Sequence, residues 1–142
     1  MATLFRFEVY TPYRLFFADS VEAIVLTLMD GEAAIYAHHS TFSAPVSPCL
    51  LKIKDKNENW KTAFSAEGIL EVTSHKAVLV TDSAEWPSEI DYERAKKAKE
   101  RAEETLASGM LKFEADAAAS SLKRATCRIK AWELEHKKPA YS

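Results

Sequence analysis

The feature that most constrains this sequence is a change of pattern near Trp86-Pro87. Before this point, apolar and polar residues alternate in short runs, whereas after it alanines and charged residues recur at helical spacing. Alternation with period two is typical of half-buried strands, and recurrence every three or four residues is typical of helices. The sequence therefore predicts a β domain over residues 1–86 and a helical domain over residues 87–142.

The first part contains eight strand-like runs separated by turn residues. The runs cover residues 4–10, 14–17, 21–29, 33–37, 49–54, 60–65, 69–73 and 77–81. Asp30-Gly31 is the strongest hairpin signal among the turns. Many short strands with regular turns predict an antiparallel flattened β-sandwich or barrel.

The second part begins with a predicted helix over residues 89–107. Ser88 and Asp91 have the spacing of a capping box, which satisfies unpaired backbone donors in the first helical turn. One face is formed by four apolar residues: Ala95, Ala98, Ala102 and Leu106. The helix is predicted to stop at Ala107-Ser108-Gly109, because glycine readily takes the left-handed conformation found at helix ends.

A second helix is predicted from a seam with alternating three- and four-residue spacing. The seam consists of Ala115, Ala118, Leu122, Ala125, Ile129 and Trp132. Such a narrow stripe is typical of two packed helices, so the helical domain is predicted to be an antiparallel two-helix hairpin. Because alanines bury little surface, the hairpin is expected to change shape readily. A fixed bundle of closely packed helices remains the alternative.

Charge divides the chain in the same place. Residues 1–86 hold 7 basic and 11 acidic residues, whereas residues 87–142 hold 12 basic and 10 acidic ones. The basic end of the second helix favours an acidic protein partner, and the overall pI of about 6.1 argues against nucleic acid. Cys49 and Cys127 do not resemble a disulfide framework, which indicates a reducing compartment. No apolar run is long enough for direct membrane insertion, and no signal peptide is evident.

The sequence limits the possible ligand sites. With only Gly31, Gly68 and Gly109, neither common glycine-rich phosphate-binding motif can form. Two arginine pairs, Arg94 with Arg101 and Arg124 with Arg128, can each lie on one helical face and bind phosphates, or they can simply be solvated.

Other chemistry has less support. The adjacent His38 and His39 point to opposite sides of an extended segment, so a metal site is not expected. No nucleophile-elbow motif is present, and a small hydrolase remains the weak enzyme alternative. Trp86 is expected to help to dock the helices on the sandwich.

Over almost its whole length the chain resembles the epsilon subunits of bacterial F-type ATP synthases. The resemblance rests on several motifs: Thr11-Pro12, Phe16-Phe17, Asp30-Gly31-Glu32, Ile35-Tyr36, Gly68-Ile69-Leu70-Glu71-Val72, Asp82-Ser83-Ala84-Glu85 and Ile90-Asp91-Tyr92-Glu93-Arg94-Ala95. The last of these matches the I/L-D-x-x-R-A motif at the start of the family's helical hairpin. The chain departs from the family at Ala37-His38-His39-Ser40-Thr41, at Pro48-Cys49, and at Ser65-Ala66-Glu67-Gly68, where Ser-Gly-Gly is common.

The resemblance implies a non-catalytic rotor subunit in the central stalk, peripheral to the cytoplasmic face of the bacterial plasma membrane. The sandwich would contact the gamma subunit and the membrane ring, with Glu32 and His39 assigned to the ring contact. The hairpin would fold against the sandwich or extend towards the catalytic alpha and beta subunits and inhibit ATP hydrolysis. Lys123 and Lys130, with neighbouring arginines, would then face an acidic loop of a catalytic subunit. A permanently folded adaptor without a ligand is the alternative.

The resemblance also implies a regulatory ATP in some members, although no cofactor is required. The positions that match this site are Glu85, Ile90, Asp91, Arg94, Ala95, Arg101, Arg124 and Arg128. ATP that bridges the two helices would favour the folded hairpin, because a ligand shifts a conformational equilibrium by its differential affinity.

Overall fold

A computed structural model describes residues 3–109 and 111–136. Within them, nine strands precede two helices. The strands are β1 (Phe5–Tyr10), β2 (Leu15–Leu28), β3 (Gly31–Tyr36), β4 (Phe42–Val46), β5 (Cys49–Asp55), β6 (Trp60–Ser65), β7 (Gly68–Val72), β8 (Lys76–Thr81) and β9 (Ala84–Glu85). The helices are α1 (Tyr92–Ala107) and α2 (Lys112–His136). The predicted fold class, a β-sandwich followed by a two-helix hairpin, is confirmed.

The sheet closes on itself through β1. Neighbouring strands follow the order β1-β8-β7-β4-β2-β5-β6-β9, β3 pairs with β2, and β1 also pairs with β2. Strand β1 runs antiparallel to β2 but parallel to β8. This parallel pair is the exception to the predicted antiparallel arrangement. Closure leaves one apolar face inside, and Phe7, Val9, Ile24, Leu51 and Leu79 are fully buried there.

Three details differ from the predicted strands. Residues 14–17 and 21–29 belong largely to the single strand β2, whose first half pairs with β1 and whose second half pairs with β3 and β5. Strand β4 was missed because Pro45 interrupts its pattern, yet it pairs along β7. The hairpin turn comprises Met29 and Asp30, and Gly31 already begins β3 with a φ of 128°.

The linker after β9 is fixed against the sandwich. Trp86 stacks on Phe16 with ring centroids 4.6 Å apart, so it anchors the linker rather than the helices. A 3-10 turn, Pro87–Glu89, follows. The Glu89 carboxylate accepts two hydrogen bonds from the Arg14 guanidinium, both of 2.8 Å, and one of 2.9 Å from the Trp86 backbone N–H.

The predicted start of the first helix is wrong. Asp91 is the N-cap residue and its carboxylate accepts from the Arg94 backbone N–H at 3.1 Å. Ser88 lies instead in the 3-10 turn, so α1 begins at Tyr92 rather than near residue 89. The helix ends at Ala107, and Gly109 has a φ of 69°, as a left-handed helix stop requires.

The two helices pack through small residues and one aromatic stack. Ala95 and Ala102 of α1 and Ala118 and Ala125 of α2 are buried. At the open end of the hairpin, Tyr92 stacks on Trp132, and their ring centroids are 4.0 Å apart. The start of α1 therefore lies beside the end of α2, as an antiparallel hairpin requires. Leu106, predicted on the packed face, is instead 38% exposed.

Helix α2 docks on the sandwich through a second, smaller apolar core. Phe64 and Ala66 from the sandwich meet Ile90 and Ala131, all four buried. Leu50, Cys127 and Trp132 pack around them. The sandwich and the hairpin are thus joined by far fewer apolar side chains than fill the sandwich itself.

Candidate functional site

A cleft of about 450 Å³ lies where the linker, α1 and α2 converge. It is lined by Glu85, Glu89, Asp91, Arg94, Ala95, Ala98, Ser121, Arg124, Ala125 and Arg128. Three arginines from two helices thus share one cavity. Ala95, Ala98 and Ala125 also line it, and their small side chains leave room for a ligand.

Arg94 reaches the cleft from the first turn of α1. Its backbone N–H is held by the Asp91 cap, which fixes the start of the helix and therefore the direction in which the side chain leaves. Within residues 3–109 and 111–136 its guanidinium forms no ion pair. Arg94 is exposed and available to an anion.

Arg128 enters the cleft from α2 and is partly engaged. Its Nε donates to the Glu85 carboxylate at 2.6 Å, and its guanidinium carbon lies 4.4 Å from the centroid of the Phe64 ring. Stacking on an aromatic face orients a guanidinium. In the described part of the chain its two terminal nitrogens have no hydrogen-bond acceptor, so they can donate to a ligand.

Arg124, one helical turn before Arg128, is held on both sides. One terminal nitrogen donates to both oxygens of Glu67 at 3.0 Å, and the other donates to the Ser121 hydroxyl at 3.3 Å. Glu67 belongs to the turn between β6 and β7 and is not among the residues that line the cleft.

The three carboxylates of the cleft are also engaged. Glu85 accepts from Arg128, Asp91 caps α1, and Glu89 accepts from Arg14. The hydrogen bond from Arg14 is the main cause that lowers the pKa of Glu89. Among the arginines that line the cleft, these contacts engage only the Nε of Arg128 and the backbone N–H of Arg94. The guanidinium of Arg94 and the terminal nitrogens of Arg128 can therefore donate to a polyanion such as a phosphate chain.

Six of the eight predicted ATP-site residues line this cleft. They are Glu85, Asp91, Arg94, Ala95, Arg124 and Arg128. Ile90 does not, because its side chain is buried in the second core. Arg101 instead lines a neighbouring groove with Phe113 and Glu114, since seven residues of helix carry it about 10 Å beyond Arg94.

Sequence reasoning missed four lining residues: Glu89, Ala98, Ser121 and Ala125. Three of them follow from helical periodicity, since Ala98 is three residues after Ala95, Ser121 is three residues before Arg124, and Ala125 is three residues before Arg128. Glu89 gave no such signal, because its place in the cleft depends on the fold of the linker.

The four predicted partner-contact residues lie apart from the cleft. Glu32 lies near the start of β3, and His39 follows the turn after its end, so about 13 Å of strand separates Glu32 from Tyr36, the last residue before that turn. Lys123 and Lys130 are exposed and seven residues apart, which places them on one solvent-facing side of α2.

Cys49 and Cys127 are free thiols, and burial raises the pKa of Cys49 to about 11. No group of three or more His, Cys, Asp or Glu side chains that could hold a metal ion occurs among the described residues. In that same part of the chain, neither helix is long and apolar enough to cross a membrane.

Known protein families match both the sandwich and the hairpin of this chain. The profile of the ATP synthase Delta/Epsilon chain beta-sandwich domain matches residues 4–87, and that of the long alpha-helix domain matches residues 88–133. The chain is 44% identical to the ATP synthase epsilon chain of Caldicellulosiruptor bescii over 126 residues, which cover 89% of this chain and 91% of that one. Identity with the ATP synthase epsilon chain of Caldanaerobacter subterraneus subsp. tengcongensis is 42%, over 92% of this chain and 94% of that one.

A solved structure shares the fold. A chain in the cryo-EM structure of the Euglena gracilis mitochondrial ATP synthase, OSCP/F1/c-ring in rotational state 1, superposes with a TM-score of 0.79 at 18% identity. The match covers 92% of this chain and 82% of that one.

Proposed function

Because the chain belongs to the ATP synthase delta/epsilon family, we propose that its hairpin is a regulatory element that binds ATP when folded and inhibits ATP hydrolysis when extended. As a member of this family the chain is a non-catalytic central-stalk component of a rotary ATP synthase. The small-hydrolase alternative is therefore set aside.

The observation that carries the proposal is the cleft between the two helices and the linker. Arg94 on α1 and Arg124 and Arg128 on α2 converge on a cavity of about 450 Å³. Small-molecule pockets are commonly of about this size, from roughly 300 to 1,000 Å³. Arginine is well suited to phosphate oxygens, because its planar guanidinium donates two parallel hydrogen bonds.

Binding at this place couples the ligand to the shape of the hairpin. The cleft is built from both helices and the linker, so it exists only while the hairpin is folded against the sandwich. A ligand that binds one state alone stabilises that state by RT ln(1 + [L]/Kd), about 2.7 kcal/mol at a hundredfold excess over Kd. ATP thereby disfavours the extended, inhibitory form.

The extended hairpin would present more positive charge than the folded one. Lys123 and Lys130 are exposed in the folded form, whereas Arg124 and Arg128 are paired with Glu67 and Glu85. Leaving the sandwich would free both arginines as well. Four positive charges on α2 would then face an acidic segment of the catalytic subunits, and opposite charges favour such an encounter.

The anchoring surface that we propose is an exposed apolar ladder across four strands. Tyr10, Val80, Ile69 and Pro45 are neighbours in the strand register and all face solvent. Val80 is 55% and Ile69 48% exposed, and contiguous apolar patches mark protein interfaces. We assign this ladder to the gamma subunit, and the start of β3, which carries Glu32, to the ring on the cytoplasmic face of the bacterial plasma membrane.

The anchoring surface is tested by assembly with purified gamma subunit. Ile69→Glu should weaken the complex, because a charge is desolvated at the centre of the contact. Tyr36→Glu, at a similarly exposed aromatic residue on β3, is the matched control. Equal loss in both variants would show that the ladder is not the specific contact.

ATP binding is tested by calorimetric titration of the isolated protein with ATP, with and without magnesium. We expect saturable binding, and a loss of roughly tenfold or more in affinity in Arg94→Ala and in Arg128→Ala, since hydrogen bonds to charged groups contribute about 1.5–3 kcal/mol. Arg101→Ala is the matched control, because this arginine lies on α1 but outside the cleft. Unchanged affinity in both cleft variants would eliminate the proposed arginine roles.

Inhibition is tested in the assembled enzyme. Removal of residues 88–142 should preserve assembly and raise the rate of ATP hydrolysis, because the sandwich and its apolar ladder remain. An assembled enzyme that stays equally inhibited would place the inhibitory element elsewhere.

The second candidate function is a permanently folded rotor adaptor without a ligand. Two ion pairs, Arg124 with Glu67 and Arg128 with Glu85, already hold α2 on the sandwich without an anion, which favours this candidate. Absence of binding at millimolar ATP, together with a hairpin that never leaves the sandwich, would support it over the regulatory proposal.

A further inference from the structure

Glu67 occupies the turn between β6 and β7 and contacts α2 across the junction of the two domains. Its two carboxylate oxygens both accept from one terminal nitrogen of Arg124 at 3.0 Å, although the residues are 57 positions apart. The side chains are 36% and 31% exposed.

The backbone of Glu67 is held by hydrogen bonds from the residues at the end of β8. Its carbonyl accepts from the Asp82 backbone N–H at 3.3 Å and from the Thr81 hydroxyl at 3.0 Å. Thr81 is buried, and its hydroxyl also lies 2.9 Å from the Ala66 carbonyl. Gly68 permits this close approach, because a Cβ there would lie 2.2 Å from the Val80 carbonyl oxygen. The turn thus presents the carboxylate from a rigid support.

Arg124 is equally well placed on its helix. Its second terminal nitrogen donates to Ser121 one turn earlier, so the guanidinium plane is held on both sides. An ion pair between two supported side chains loses less conformational entropy than one between two free surface chains. Glu67 lies outside the cleft but forms an ion pair with Arg124, which lines it.

We propose that Glu67 is a latch that holds α2 against the sandwich when no anion occupies the cleft. This inference rests on the proposed opening of the hairpin but does not depend on ATP binding. With Glu67 present, Arg124 is neutralised in the free protein and the hairpin stays folded without a ligand. The equilibrium between folded and extended forms is therefore set partly by a residue of the sandwich.

The native Cys127 thiol supplies the readout. Cys127 belongs to α2 and is half-buried against the second core, and this burial raises the pKa of its thiol. Its modification by N-ethylmaleimide should therefore accelerate when α2 leaves the sandwich. Cys49 lies in the sandwich core with a pKa raised to about 11 and serves as the internal reference. Peptide mass spectrometry follows both thiols in the full chain without nucleotide.

In Glu67→Gln and in Arg124→Gln we expect the rate at Cys127 to rise about two- to fivefold, the range for a partly exposed ion pair. The double variant should react no faster than either single one, because both changes remove the same interaction. Glu71→Gln is the matched control, since Glu71 is an exposed carboxylate on the adjoining strand β7 and should react like the unaltered chain.

Two results would overturn the latch: a Glu67→Gln rate equal to that of Glu71→Gln, or additive effects in the double variant. Equal rates at Cys49 and Cys127 would instead contradict a separately opening hairpin, which is a failure of the proposed function. The absence of ATP binding in calorimetry would leave the coupling between Glu67 and Arg124 unaffected, so the two ideas fail separately.

Discussion

At the scale of single residues, Gly68 shows how one missing side chain positions a charge. A Cβ at this position would approach the Val80 carbonyl oxygen to 2.2 Å and the Thr81 Cα to 2.9 Å, and both are backbone atoms of a paired strand. Neither can move without disturbing β8. The glycine therefore permits strand contact at the turn that carries Glu67.

We expect Gly68→Ala to lower the free energy of unfolding by about 1–3 kcal/mol, as overpacking in a close-packed region does. Urea denaturation followed by circular dichroism measures the change. Glu71→Ala on the same strand faces solvent and should stay within about 0.5 kcal/mol of the unaltered protein. An equally small effect at Gly68 would show that the turn relaxes freely.

The ion pair between Arg14 and Glu89 makes the linker sensitive to acid. The pKa of Glu89 is lowered, chiefly by the hydrogen bond from Arg14, so the folded state binds its proton less readily than the unfolded state does. Its stabilising contribution is complete above the ordinary glutamate pKa and is lost as pH falls through the lowered value. Glu89→Gln should weaken thermal stability at neutral pH and flatten its decline in acid, as calorimetry at a series of pH values would reveal. A decline as steep as in the unaltered protein would assign the acid sensitivity to other carboxylates.

At the scale of elements, the hairpin is held by small contacts at its centre and by aromatic stacking at its open end. Ala125 is 1% exposed between the helices, whereas Tyr92, Trp132 and His136 form a continuous stack with centroid separations of 4.0 and 4.2 Å. Alanine permits close approach but contributes little apolar burial. The helices can therefore separate more readily than the strands of the sandwich.

We expect Ala125→Leu to force the helices apart and to destabilise the hairpin by about 1–3 kcal/mol. Helical ellipticity should melt at a lower temperature while the β signal is retained. Ala117→Leu is the matched control, because Ala117 is exposed on the same helix. Similar melting in both variants would indicate that the seam tolerates larger side chains.

At the scale of the whole molecule, the border between the two domains lies later than the end of the last strand. Trp86 stacks on Phe16, and Glu89 is tied to Arg14, so the linker up to Glu89 is bound to the sandwich. Only beyond it does Ile90 enter the second core beneath α2. The hairpin should therefore turn about residues 90 and 91.

We expect a fragment of residues 1–89 to melt about 5–10 °C higher than a fragment of residues 1–85. The shorter one loses the aromatic stack and the ion pair, and each kcal/mol shifts the midpoint of a domain of this size by roughly 4–8 °C. Scanning calorimetry of both fragments measures the difference. Equal midpoints would show that the linker is not part of the sandwich.

The sequence by itself determined the elements that depend on neighbours along the chain. Alternation marked most of the strands, Gly109 marked the helix stop, and the spacing of Arg124 and Arg128 placed both on one face of α2. These features follow from backbone geometry and from which face of an element is apolar, and a short window of sequence contains both. The family resemblance added six of the ten residues that line the cleft.

Only the tertiary structure decided which distant groups meet. Closure of the sheet through the parallel pair of β1 and β8, the burial of Ile90, and the pairing of Glu67 with Arg124 all join segments far apart in sequence. Local periodicity carries no information about such partners, because a solvated glutamate and one that forms an ion pair with a distant arginine have the same sequence pattern. What the sequence left open was therefore the set of contacts that holds the hairpin on the sandwich.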